Sequence, residues 1–300
     1  MKKVLLFAGL AAASVSCNSP EPTAVNADTD QTIGYQLYTV REHLTDSASV
    51  IGTLKESRAM GYELMESFGY FGGQFFGFSS EDFASEVAQA DLQSPSGHYL
   101  PMQLADTVVG PIDRTTIPQF LDAAEALGQH WVIIPWMSDA WRNADGYGYL
   151  VNYLRELADS ANARGLRAAW HNHDFEFAPL YPDSANSPTA YDYLLAELPA
   201  DLMDFEMDLH WVAFAGENPV QWFNAYPGRF PLWHVKDFAA DTTSQVPVGQ
   251  GVIPWEEIFA ARETAGLKYY FLEQDVCSGT AAKECLRQSI NWTKEQSFMH

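Results

Sequence analysis

A single (β/α)8 barrel is the fold this chain predicts, and three observations carry the prediction. A helical segment that ends in Gly and leads straight into an apolar strand recurs four times: 58–61 before 62–66, 125–128 before 130–135, 163–165 before 166–170, and 264–266 before 267–272. Glycine just past a helix end accepts the left-handed conformation that turns the chain back onto a sheet. The strand-like runs are apolar rather than alternating, as parallel strands covered on both faces are. Finally, 203–208, 231–234 and 269–273 each end in a side chain able to bind a divalent cation: Asp208, His234 and Glu273. A carboxylate or imidazole buried at a strand tip costs free energy unless it is paired or metal-bound. Successive strands of an eight-fold barrel, about 250 residues in all, would bring the three tips to one mouth.

The first 17 residues fit a secretory signal: Lys2 and Lys3, an apolar stretch over 4–15, then Ser14-Val15-Ser16-Cys17. The stretch is too short for a lasting membrane span. Cys17 resembles the lipidated cysteine of a bacterial lipoprotein box, with Ser14 where Leu is usual. The alternatives are a lipid anchor at Cys17 and simple cleavage, and both give an exported protein, periplasmic or membrane-anchored. Residues 18–31, rich in Pro, Ala, Thr and Asp, read as a flexible tether, and 32–300 as the barrel. Strands are expected at 33–38, 62–66, 94–99, 131–136, 166–171, 202–208, 232–234 and 269–273, with helical periodicity between them, as over 149–164 and 255–265. No G-x-G-x-x-G turn follows the first strand and there is no P-loop, which disfavours an open doubly wound sheet. Cys277 and Cys285 would sit in an oxidising compartment. They either pair or stay as thiols, because spacing alone does not show that their Cβ atoms meet.

Charge narrows the partners. With 39 acidic residues against 17 basic ones the formal net charge is −22, and such a surface repels polyanions. Nucleic acid is therefore excluded as a partner. A small-molecule carbohydrate is expected instead, and the membrane enters only through an anchor at Cys17.

In this fold the chemistry lies at the C-terminal ends of the strands. There the sequence places Gln36, Glu66, His98, Trp136, His171 with His173, Asp208 with His210, His234 with Lys236, and Glu273. Residues two apart on a strand face the same way, so each pair is expected to reach the mouth together. Mixed imidazole and carboxylate ligands suit Mn, Co, Zn or a similar ion. One divalent metal ion is expected on Asp208, His234 and Glu273. One of His171 and His173 is then the fourth ligand, and the other a general base or an outer partner. Glu66 and His98 close the opposite side, for proton transfer or for substrate hydroxyls. Glu176 either clamps a hydroxyl or is a plain loop carboxylate. Gln36, Trp136, Trp211 and Lys236 complete the expected substrate contacts. Trp136, Trp170, Trp211 and Trp255 offer faces for sugar stacking or for packing on helices. His43, His130 and His300 read as ordinary hydrogen-bonded residues.

Several segments together resemble the xylose-isomerase-like TIM barrels, a superfamily of sugar phosphate isomerases/epimerases with a distant AP endonuclease branch. They are Gln36-Leu37-Tyr38-Thr39-Val40-Arg41, His171-Asn172-His173-Asp174-Phe175-Glu176-Phe177, Asp208-Leu209-His210-Trp211, His234-Val235-Lys236-Asp237, Gly249-Gln250-Gly251-Val252-Ile253-Pro254-Trp255 and Leu272-Glu273-Gln274-Asp275. The resemblance spans about residues 33–295. It implies that Asp208, His234 and Glu273 match the metal ligands of strands six to eight, with His171 where a strand-five Glu would stand. That departure removes an acid/base carboxylate and directs the reading toward keto-sugars. The implied activity is metal-dependent isomerisation or epimerisation of a non-phosphorylated sugar or keto-sugar by proton abstraction α to a carbonyl, with His173, Glu273 and Glu66 as catalytic residues. A 3-keto-glycoside lyase or hydratase on the same site is one alternative, and a non-catalytic carbohydrate-binding lipoprotein is another. Phosphate is not carried over, because no Gly-rich cradle is present. An AP endonuclease would want a basic groove.

Overall fold

The computed structural model describes residues 32–240, 244–277 and 281–300. The signal segment, the tether and Cys17 lie outside the described residues. Eight parallel strands form the barrel: β1 Gly34–Gln36, β2 Leu64–Glu66, β3 Ser96–His98, β4 Trp131–Ile134, β5 Arg167–His171, β6 Asp204–Asp208, β7 Leu232–Val235 and β8 Tyr269–Leu272. Each pairs with the next from β3 round to β8, β8 pairs with β1, and β1 pairs with β2. Parallel bridges Leu64 to Gln93 and Ser67 to Gly97 close the ring between β2 and β3. All eight predicted strands are present. Most are shorter than their apolar runs: β2, β5 and β6 because pairing begins later, and β1, β4 and β8 because at the mouth the chain leaves the ladder for local caps. After β1, for example, the Gln36 side-chain carbonyl accepts from the Tyr38 amide at 3.1 Å and starts the 3-10 helix Leu37–His43.

The helices follow their sequence signals. The helix Ser47–Met60 opens on a reciprocal cap between Asp46 and Ser49 and ends at Gly61, with φ 107°. The short helix Arg262–Ala265 ends the same way at Gly266, φ 81°. These are the left-handed positions that the repeated helix–Gly–strand phrase required. The 20-residue helix Ala144–Ala163 buries Leu150, Leu154, Leu157 and Ala161 and packs on β5.

Inside the ring, alternate residues point to the axis and form layers. At the N-terminal end Arg167 pairs with Asp204 at 2.8 Å, and the Trp131 indole donates to the same carboxylate at 2.8 Å. Above them lies a separate apolar plug of Leu64, Ile133, Ala169, Leu232 and Phe271. Further toward the C-terminal ends the interior turns polar, with Glu66, His98, His171, Glu206 and His234 and then, at the mouth, Asp208 and Glu273.

The end of the chain is tied to the mouth. Cys277 and Cys285 form a disulfide, Cα atoms 6.4 Å apart, and join the segment after β8 to the helix Ala282–Lys294. The Gly249–Trp255 segment, too, has a structural role. The Asp237 carboxylate accepts from the amides of Gly249 at 3.0 Å, Gly251 at 3.1 Å and Ile253 at 3.3 Å, and from the Trp255 indole at 3.1 Å. A Cβ at position 251 would lie 2.0 Å from that carboxylate, so glycine is required there.

Candidate active site

Strand tips β5 to β8 meet at one point. The ligand atoms of Asp208, His234 and Glu273 lie within 4.8 Å of one another, and all three residues are buried. The ring of His234 bridges two levels: Nδ1 is 2.5 Å from Glu273 Oε2, while Nε2 is 2.6 Å from Glu66 Oε2 and 3.3 Å from Glu206 Oε2. His171 presents Nε2 to Asp208 Oδ2 at 3.6 Å, whereas His173 stands off the ligand group with its ring between Phe175 and Trp211. Lys236 reaches Glu273 at 2.7 Å, Asp208 at 2.9 Å and Asp275 at 3.0 Å.

Above these residues opens a cavity of about 730 Å³ lined by His98, His171, His173, Lys236, Glu273 and Asp275 and by the aromatic rings of Tyr38, Phe68, Tyr70, Phe71, Trp136 and Trp211. Its make-up, apolar faces around a few convergent polar groups, is that of a small-molecule site. Rings of this kind suit the apolar face of a sugar.

Charge in the site is set by neighbours working against burial. Burial opposes the charged form of Lys236, yet the Asp208, Asp275 and Glu273 carboxylates raise it well above the ordinary lysine value. Glu273 is held low, since the Lys236 and His234 charges outweigh desolvation. Asp208 is pushed up to about 6 by burial, with Lys236 opposing. His98, despite burial, is raised to about 9 by Glu66 and Glu206. Burial and then the neighbouring His234 and His98 keep His171 neutral. His173 falls to about 3 through burial and the Lys236 charge.

The structure brings His98, Trp136, His171, His173, Trp211, Lys236 and Glu273 onto or around the cavity, as the sequence suggested. It places others elsewhere. Gln36 and Glu66 are fully buried in the polar layer below, Gln36 Nε2 donating to Glu66 Oε2 at 2.6 Å and Ser96 Oγ donating to Oε1 at 2.6 Å. Glu176 is fully buried as well: it accepts from the Trp170 indole at 3.1 Å and the His173 amide at 2.9 Å. It therefore shapes the turn that carries His173 instead of clamping a substrate hydroxyl. Trp170 and Trp255 pack in the core. His210 turns away because β6 ends at Asp208, whose side chain caps the helix Leu209–Phe214 through the amides of His210 and Trp211. The ring of His210 packs against Trp211, Phe214 and Phe238.

The inward partner of Asp208 is Glu206, which sequence reasoning missed. Its signal was present, since Glu206 sits two residues before Asp208 in an apolar run and must share its face. Asp275 and Arg41 were also passed over. Arg41 lies over the Tyr38 ring with its carbon 4.2 Å from the centroid and donates to the Asp275 backbone oxygen at 2.9 Å.

A divalent ion fits these donors. Imidazole and carboxylate atoms lie within 4.8 Å of one another, and among the described residues Asp208 Oδ2 meets no hydrogen-bond donor beyond the Lys236 charge. Such a mixed set favours a transition metal over Mg or Ca.

The sequence profile of the xylose isomerase-like TIM barrel family matches residues 54–296, and the chain belongs to that family. Solved structures agree on the fold. A sugar phosphate isomerase/epimerase of Parabacteroides distasonis is 23% identical with a TM-score of 0.74, the match covering 89% of this chain and 99% of that one. An IolI protein crystallised with a bound zinc atom is 14% identical with a TM-score of 0.65, over 90% and 98% of the two chains. An L-ribulose 3-epimerase is 12% identical with a TM-score of 0.63, over 90% and 94%. No curated protein matches the chain.

Proposed function

We propose that this chain is a divalent-metal-dependent isomerase or epimerase of a non-phosphorylated sugar or keto-sugar, working by proton abstraction α to a carbonyl. The observation that carries the reading is the convergence of Asp208, His234 and Glu273 beside an aromatic-walled cavity. Family membership supports it, as do neighbours that include an L-ribulose 3-epimerase and a D-psicose 3-epimerase. Asp208, His234 and Glu273, with His171 as fourth donor, would hold the ion. A bound divalent ion supplies Lewis-acid polarisation of the carbonyl and offsets charge developing on its oxygen.

The remaining work falls to side chains. His173 faces the cavity, and its Nδ1 has no hydrogen-bond partner among the described residues, which supports it as the group that takes the α proton. Glu176 fixes the backbone at that residue. Lys236 and Asp275 present charge for substrate hydroxyls, and Trp136 and Trp211 provide stacking faces. The N-terminal signal supports an exported location, with an anchor if Cys17 is acylated.

The replacement of a strand-five carboxylate by His171 favours a second reading, β-elimination from a 3-keto-glycoside. Elimination needs one base, whereas epimerisation needs a proton delivered to the opposite face.

The test is exchange of a keto-sugar α proton with deuterium, with and without chelator. Chelator-sensitive exchange is expected, together with a fall of roughly 10²–10⁴-fold in His173→Asn while metal content is kept. Release of the leaving group from a 3-keto-glycoside would select the lyase. Carbohydrate binding without exchange, indifferent to chelator, would make the chain a binding protein.

A further inference from the structure

We propose that the barrel interior holds a second cation seat, one layer below Asp208 and Glu273, formed by His98, His171, Glu206 and His234 and suited to a borderline transition-metal ion. It goes beyond the reading above, which uses only the upper group. The four residues offer ligand atoms within 4.8 Å of one another. Three imidazoles and one carboxylate are the donors that Zn, Mn, Fe or Co accept.

Three features of the cluster point to an ion. The first is convergence: His98 Nε2 lies 2.8 Å, His171 Nδ1 2.9 Å and His234 Nε2 3.3 Å from the single oxygen Glu206 Oε2. The second is an orphan. Glu206 is fully buried and its other oxygen, Oε1, has no hydrogen-bond partner among the described residues, a state that costs about 1–3 kcal/mol when nothing fills it. The third is the far side of the rings. His234 turns its other nitrogen to Glu273 at 2.5 Å and His171 turns its own toward Asp208 at 3.6 Å. Carboxylates behind a histidine are how metal-ligating imidazoles are oriented.

Charge distinguishes the two levels. The upper carboxylates already have an ammonium, since Lys236 touches both Asp208 and Glu273. The lower carboxylates, Glu66 and Glu206, have imidazoles as their ionisable partners among the described residues, and Glu66 also accepts from Gln36 and Ser96. A cation in the lower seat would take the place of the ring protons beside those carboxylates. The two seats would share His234 and His171, each through opposite nitrogens. Filling both would require each of these rings to release its remaining proton to solvent.

The test strips the purified chain with chelator, reloads it with Co(II), and reads metal content by mass spectrometry alongside the cobalt absorption band. Wild type is expected to take two equivalents, and His98→Gln, Glu206→Gln and Asp208→Asn one each, with different spectra for the lower-level and upper-level variants. His98 reaches the cavity edge, so His98→Gln keeps the test alive if Glu206→Gln does not fold. A single equivalent in wild type, kept in His98→Gln and Glu206→Gln but lost in Asp208→Asn, would overturn the lower seat and leave the upper one standing. A single equivalent with the reverse pattern would support the lower seat and overturn the upper assignment. Two equivalents kept in both lower-level variants, or no bound cobalt in any chain, would also overturn the proposal.

Discussion

The two ends of the barrel interior are built on the same strands, two residues apart, and are chemically opposite. Phe271, Leu232, Ala169 and Leu64 make an apolar plug, while Glu273, His234, His171 and Glu66, the next inward residues on those strands, make a buried set of ionisable side chains. The plug stabilises by burying apolar surface. The polar layer is held by mutual pairing and carries the chemistry, at a desolvation cost that the rest of the fold offsets. One backbone geometry thus serves stability at one level and reactivity at the next, and the side chain alone decides which.

If that division holds, the largest effect on folding belongs to the plug. Phe271→Ala should cost about 3–5 kcal/mol by denaturant unfolding and leave metal content per folded chain unchanged. A cost below about 1 kcal/mol would mean that the plug is not what holds the barrel together.

An intermediate effect is expected at Glu176, a buried carboxyl below the mouth. Burial raises it to about 8 from 4.5, with its hydrogen bonds and Arg142 only partly opposing. Between those pH values the folded chain keeps a proton that the unfolded chain has lost. Its stabilising contribution is therefore full below about pH 4.5 and disappears as the pH rises through 8. Glu176→Gln should flatten the decline of stability across this window by on the order of 1 kcal/mol per pH unit, measured as unfolding free energy against pH. Parallel curves for variant and wild type would show that Glu176 is ionised in the fold.

The smallest effect belongs to the outer surface, where charges touch water. Arg58 and Asp91 pair at 2.7 Å, but the Asp91 side chain is 82% exposed. Asp91→Asn should change stability by less than about 0.5 kcal/mol, by the same unfolding measurement. A larger loss would mean that surface pairs rival the interior.

Much of this was legible beforehand. The helix–Gly–strand phrase located the barrel strands, and an isolated carboxylate or imidazole ending an apolar run located Asp208, His234 and Glu273. The misreadings share one cause, the uncertain end of a strand. Strand alternation applied beyond the end of β6 paired Asp208 with His210, although the facing pattern changes as soon as the chain turns into a helix. Glu176 was misplaced for a similar reason: a loop carboxylate looks solvated until the fold shows an indole and an amide pointing at it.

By itself the sequence determined the number and direction of the strands and the residue types at the mouth, because period, glycine placement and burial cost are local properties. Only the tertiary structure decided which of those residues touch. The depth of Glu66 and Gln36, the bridging of two levels by His234, the seat of Lys236 between three carboxylates and the joining of Cys277 to Cys285 all depend on where distant strands and loops meet in the closed ring.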